Sequence, residues 1–175
     1  RPFPQDLMDH IEAGGLIEAQ NSFFERCIWT NIAVPRYGFS PIRHEQWRCS
    51  AAKAASCSLP RSLEGALAAL ELGIEKDKEG HRLMMKLSKP RRPKKKEKAY
   101  YEERGKEPPI MWHEDPEELR RLFKYCGHDV RGEIALSNAL PDLSDKELKI
   151  WQMDQAINER GVWCDRKMVK KALRM

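Results

Sequence analysis

Apolar residues recur at helical spacing along much of the chain. Leu7, Met8 and Ile11 share one face of a predicted helix over 6–12 that stops at Gly14-Gly15. A short strand, Leu16-Ile17-Glu18-Ala19, follows and leads straight into Asn21. Phe24, Cys27, Ile28 and Ile32 then repeat with helical periodicity until Pro35 ends the pattern, a spacing that makes Phe24 a core residue. After a turn-rich stretch around Tyr37-Gly38 and Pro41, residues 47–59 are mixed and rich in small side chains, and no element is assigned to them. Ser62 caps the next predicted helix, with Leu63, Ala66, Leu67 and Leu70 as its buried stripe and Gly73 closing it. His81 to Leu87 form one more short helix.

Past Ser88 the periodicity lapses. Lys89-Pro90-Arg91-Arg92-Pro93-Lys94-Lys95-Lys96 concentrates positive charge among prolines, which predicts a long, exposed basic loop over 88–109. Asp115-Pro116-Glu117-Glu118 places a cap, an N1 proline and first-turn acids where a helix start favours them. That helix carries Leu119, Leu122, Phe123, Cys126, Val130 and Ile134 as its apolar stripe and ends near Leu140-Pro141. Ser144-Asp145-Lys146-Glu147 is a capping box opening another helix, with Leu148, Trp151 and Ile157, that stops at Gly161. Asp165 caps a terminal helix, and no internal repeat is found.

Composition narrows the class. The 175 residues, 41% apolar and 34% charged, suit a soluble globular protein with room for one ordinary domain and part of a second. No apolar run approaches the roughly 20 residues of a membrane span. The opening Arg1-Pro2-Phe3-Pro4 has neither an initiator Met nor a signal-peptide pattern, so the chain reads as an excised piece. Five cysteines without a C-x-x-C pair indicate reduced thiols and a cytoplasmic protein, and Cys126-Gly127-His128 lacks the second ligand pair of a zinc site. A net charge of +5 is compatible with a polyanionic partner.

Two short patterns carry candidate chemistry. Tyr125 and Asp129 lie about 40° apart on the long predicted helix, flanking its apolar stripe, so the carboxylate is half buried and needs a partner. On periodicity alone, a capped or salt-bridged Asp is the commoner meaning. Asn21-Ser22-Phe23-Phe24-Glu25 places a carboxylate on the first turn of a helix that follows a strand. That position is by itself worth about 0.3 to 1 kcal/mol as a helix-dipole contact.

Together, and in this order, the two patterns resemble the second and third motifs of the 3′-5′ proofreading exonuclease domain in family A DNA polymerases, the group that includes bacterial DNA polymerase I. Asn21 and Glu25 match the second motif; Tyr125 and Asp129 match the third. The resemblance is closest to phage-type members. Ala19-Gln20-Asn21-Ser22-Phe23-Phe24-Glu25 is similar to their Ala-His-Asn-Ala-x-Phe-Glu stretch, with Gln20 in place of His. Trp47-Arg48-Cys49-Ser50-Ala51-Ala52, Leu59-Pro60-Arg61-Ser62-Leu63, Lys76-Asp77-Lys78-Glu79-Gly80 and Tyr125-Cys126-Gly127-His128-Asp129-Val130 resemble segments of that group in the same order. Residues 151–161 resemble the junction with the polymerase domain.

The resemblance implies an RNase H-like α/β exonuclease fold, truncated at its N-terminus, helix-dominated and left with an exposed sheet edge. It implies a partial exonuclease domain over 1–142 and the first polymerase elements over 143–175. The parent would be a DNA-directed DNA polymerase, a nucleotidyltransferase whose exonuclease hydrolyses 3′-terminal nucleotides with two Mg²⁺ or Mn²⁺ ions about 4 Å apart. Glu25 and Asp129 would be metal ligands, Tyr125 a donor to the attacking water, and Asn21 a holder of the site or the terminal nucleotide. Implied partners are the 3′ end of a DNA primer strand and the rest of the polymerase chain, with no membrane. Arg91, Arg92, Lys94, Lys95 and Lys96 would follow the DNA backbone, although a solvated charge run fits them equally.

Two departures bear on activity. No Asp-x-Glu triplet precedes Asn21, so the ligands shared between the two ions are absent; Asp77-Lys78-Glu79, Asp115-Pro116-Glu117 and Asp145-Lys146-Glu147 lie downstream and fit as letters only. Glu25 stands where bacterial polymerase I has Asp. The chain as given is therefore expected to bind metal weakly and to cleave poorly or not at all. Two other readings stay open: a catalytically silent exonuclease-like module that binds DNA or braces the polymerase, and an unrelated helical nucleic-acid-binding domain.

Overall fold

A computed structural model describes residues 3–174. In chain order its elements are α1 (Gln5–Glu12), β1 (Ile17–Ala19), α2 (Phe23–Ile28), α3 (Val34–Tyr37), β2 (Trp47–Cys49) and α4 (Ser50–Ser56). They continue with α5 (Leu63–Ala69), α6 (Lys78–Leu87), α7 (Lys95–Glu102), α8 (Pro116–Ala139), α9 (Asp145–Arg160) and α10 (Arg166–Ala172). The chain divides into two compact units, Arg1–Arg61 with Leu140–Met175, and Ser62–Ala139. No helix among the described residues is long and apolar enough to cross a membrane.

In the first unit β1 and β2 pair in parallel, Ile17 opposite Trp47 and Ala19 opposite Cys49, and no third strand joins them among the described residues. β2 and α4 fill the stretch that periodicity left without an element, because three strand residues are too few to show a period and α4 buries small side chains, Ala51 and Ala54. Met8 and Ile11 of α1 are buried as their spacing predicts. The buried Gln46 amide donates to Ile11 O (2.9 Å) and Gly15 O (2.8 Å), tying the end of α1 and the turn after it to the residue before β2. Lys53 of α4 is buried, and its ammonium meets Glu18 at 3.1 Å and Asp142 at 2.7 Å. Burial alone would lower its pKa, but the hydrogen bonds to Asp142 and Glu18 outweigh that and hold it above the ordinary lysine value.

Two expectations fail around α2. The helical run does not end at Pro35: a π-helical turn, Trp29–Ala33, leads into α3, and the run ends at Gly38, whose φ of +68° suits a helix terminus. The wide turn falls where proline cannot donate to the carbonyl one turn back, so the mismatch is absorbed locally. Phe24 is not core. It is 65% exposed, and Ile28 is 40% exposed, whereas the face that α2 buries is that of Ser22 and Arg26. The Arg26 guanidinium is held inside by Glu159 of α9 at 2.5 Å and by His44 Nδ1 at 3.1 Å, while His44 Nε2 bonds Gln152 O of α9 at 2.8 Å. A charged partner far along the chain thus overrides the local apolar pattern.

The second unit is organised on α8. Asp115 Oδ1 accepts from the Glu117 and Glu118 amides at 3.0 Å, the predicted cap. The buried face is Tyr125, Gly132 and Leu136, not the apolar stripe read from the sequence; Phe123, Val130 and Ile134 are all more than half exposed. The cause is a pair of glycines. At Gly132 of α8, Leu67 Cδ1 of α5 lies 3.2 Å from where a Cβ would stand. At Gly80 of α6, a Cβ would fall 2.4 Å from Tyr125 Cδ2 and 2.6 Å from Asp77 Oδ2. Backbone can approach only where side chains are missing, and that approach selects which face is covered.

The basic stretch is ordered. Arg91 and Met111 form an antiparallel bridge, and α7 is folded between them. Glu97 accepts from the Lys94 amide at 2.7 Å and takes both terminal nitrogens of Arg91 at 2.8 and 2.7 Å, so the prolines flank a helix instead of abolishing it. The two Arg91 contacts, first, and that Lys94 contact hold the Glu97 carboxyl down at about 2.

Candidate functional site

The candidate residues form three local groups. On the first unit, Asn21 turns the chain from β1 into α2 with a φ of +58°, a left-handed conformation that asparagine tolerates better than most residues. Gln20, where the family stretch has His, is braced: its amide nitrogen donates to Arg61 O at 2.7 Å, and Ser50 Oγ donates to its oxygen at 2.6 Å. Glu25 lies on the first turn of α2, exposed, and makes no ion pair among the described residues. Partial desolvation pushes its pKa up, against the opposing pull of its own backbone amide. Two buried polar atoms on this helix and its cap, Ser22 Oγ and Arg26 Nη1, have no partner among the described residues.

On the second unit, Tyr125 and Asp129 stand one turn apart on α8. Tyr125 is 7% exposed, and its phenol is pushed up to about 12, first by burial and then by the Asp129 carboxylate beside it. Asp129 is half buried and makes no ion pair among the described residues. Around Tyr125 sit groups that the sequence reading did not select. Asp77 caps α6 through the Gly80 amide at 2.8 Å and pairs with Arg121 of α8 at 2.6 Å. Those bonds, led by Arg121, hold the Asp77 carboxyl below its usual range. His128 Nε2 bonds Glu75 O at 2.7 Å. The signal for this shell was the cap motif before Gly80, which places Asp77 at a helix start but says nothing of α8.

The third group is the basic arm. Arg91 is spent on the arm's own fold through Glu97 and the Trp112 carbonyl, 2.9 Å from its Nε. Arg92, Lys94, Lys95 and Lys96 are exposed and make no ion pair within 4.0 Å among the described residues.

Glu25 belongs to the first unit; Tyr125, Asp129 and the arm belong to the second. No group of three His, Cys, Asp or Glu side chains able to hold a metal ion occurs among the described residues. Of the acids that matched a first motif only as letters, Asp77 and Asp115 cap helices, and Asp145 follows the Ser144 cap of α9. The residues present do not by themselves make a divalent-ion site.

No family model and no solved structure matches the chain. A DNA polymerase of Bacillus phage SP02 is 36% identical to it over 173 residues, 97% of this chain and 25% of that polymerase. The chain thus spans about a quarter of the length of the curated relative it matches. Over nearly its whole extent, it is similar to one stretch of a phage DNA polymerase.

Proposed function

We propose that the chain is part of a phage-type family A DNA polymerase and carries the second and third carboxylate motifs of its 3′-5′ proofreading exonuclease, on an RNase H-like fold. The observation that carries this reading is the Tyr125 turn of α8, in a chain related to a DNA polymerase: a buried phenol beside a half-buried carboxylate that makes no ion pair among the described residues. A phenol is a donor, suited to hold a water or a phosphate oxygen, and the carboxylate beside it is an acceptor. Glu25 makes no ion pair among the described residues, and partial desolvation raises its pKa. Mg²⁺ or Mn²⁺ would be the ion drawn to such oxygen ligands. No group of three His, Cys, Asp or Glu ligands occurs among the described residues, so the chain alone is expected to cleave slowly at most.

The test is release of the 3′-terminal nucleotide from a labelled single-stranded oligonucleotide in Mn²⁺. Any cleavage by the 175-residue chain should be slow and should fall at least tenfold in Asp129→Ala and in Glu25→Ala. Fast cleavage that survives both substitutions refutes the assignment. The second reading, a catalytically silent module that binds DNA or braces the polymerase, draws support from the lack of a three-ligand group among the described residues. It predicts DNA binding with no cleavage at any metal concentration.

A further inference from the structure

The charge excess of this protein is local. Residues 88–112 hold nine Lys and Arg against four Glu, which equals the +5 of the whole chain and leaves the remainder neutral. That segment is a folded arm, closed by the Arg91–Met111 bridge and by Glu97 on Arg91, so its free cations are presented on a frame. Between α7 and the two segments joined by the Arg91–Met111 bridge runs an open groove of about 630 Å³. Four prolines, Met111 and Ile110, which is 74% exposed, give it apolar walls. Arg92, Lys98 and Lys106 edge it; of its two acids, Glu102 lies 3.4 Å from Lys98 and Glu107 makes no ion pair among the described residues.

We propose that this groove is a binding site for single-stranded DNA, distinct from the carboxylate groups, with phosphates along the cationic edge and unpaired bases against the proline and Ile110 walls. Apolar walls beside a cationic edge match a ligand that shows flat apolar faces and regularly spaced negative charge together. A single strand does so; a duplex shows its phosphates but hides its base faces. The next exposed cations, Lys94, Lys95 and Lys96 at the head of α7, extend the path for the backbone. The choice of DNA over RNA rests on the polymerase reading; the groove itself does not depend on the metal site.

Fluorescence anisotropy of a labelled oligo-dT with the intact chain, in EDTA so that no ion-dependent cleavage enters, tests the groove separately from the exonuclease. Single strand should bind at least tenfold tighter than duplex of the same length. Arg92→Ala with Lys106→Ala should lower the slope of log K against log salt by about 1.4, at roughly 0.7 per phosphate contact. Ile110→Ser should weaken single-strand binding about fivefold with the slope unchanged, and Ile110→Trp should tighten it, since an aromatic wall stacks on any base. Circular dichroism on each variant confirms that the arm's helix remains. Equal affinity for duplex and single strand overturns the proposal, as does a salt slope that ignores Arg92 and Lys106. Tighter binding to oligo-U than to oligo-dT overturns the choice of DNA.

Discussion

α2 and α8 each carry one candidate acid, and they are finished to different degrees. On α8, Tyr125 packs against Gly80 beside the Asp77–Arg121 pair and holds Asp129 one turn away, all within one unit. On α2, Glu25 has exposed Phe23, Phe24 and Ile28 as helix neighbours, and two buried polar atoms, Ser22 Oγ and Arg26 Nη1, lack partners among the described residues. Exposed apolar rings and unsatisfied buried donors are each costly in isolation, so their coincidence marks α2 as the half whose surroundings the described residues do not complete.

Gly80 is the sharpest place to break the α8 half. Adding one methyl by Gly80→Ala would collide with Tyr125 and Asp77, which should cost about 2 to 3 kcal/mol in urea unfolding and displace the phenol. On α2, Glu159→Gln leaves the Arg26 guanidinium buried without its anion and should destabilise the first unit by about 1 to 2 kcal/mol. Arg26→Met should cost less, because Glu159 is 57% exposed and can be solvated. The reverse order would mean that Arg26 acts by packing and not by charge.

The Tyr125 phenol gives a smaller, pH-dependent signal. Its folded pKa of about 12 exceeds the ordinary value near 10, so the unfolded chain loses the proton first as pH rises. Stability should therefore fall between about pH 10 and pH 12, and this component should vanish in Tyr125→Phe. In Asp129→Asn the phenol should titrate lower, yet stay above the ordinary value because burial is the larger cause. The smallest effect belongs to Glu25. Its raised pKa means that the ionised form costs stability in the fold, so Glu25→Gln should be neutral or slightly stabilising at pH 7, within about 0.5 kcal/mol, and the difference should shrink as pH falls through the Glu25 pKa. A clear loss would show that Glu25 has a structural partner.

Much of the helical frame was legible in local chemistry. Asp115, Ser144, Ser62 and Asp165 all cap the helices that their positions predict, because a cap is decided within four residues. What failed was everything set by distant partners. The buried face of α8 follows from Gly80 and Gly132, which a hydrophobic count ignores, and the buried face of α2 follows from an arginine whose anion lies on α9. The arm was read as a loop because its prolines are visible in the sequence, whereas the Arg91–Glu97 clamp that starts α7 becomes visible only once the bridge to Met111 forms. Spacing puts Tyr125 and Asp129 one turn apart beside the apolar stripe, but the family resemblance is what makes them candidates, and their neighbours Asp77, Gly80 and Arg121 were not legible.

Mn²⁺ binding followed by electron paramagnetic resonance, in Glu25→Ala, in Asp129→Ala and in the double variant, tests most directly whether these two acids are ligands of a divalent ion. Weak binding that each substitution lowers is the predicted result. Mn²⁺ binding that neither substitution changes would contradict it.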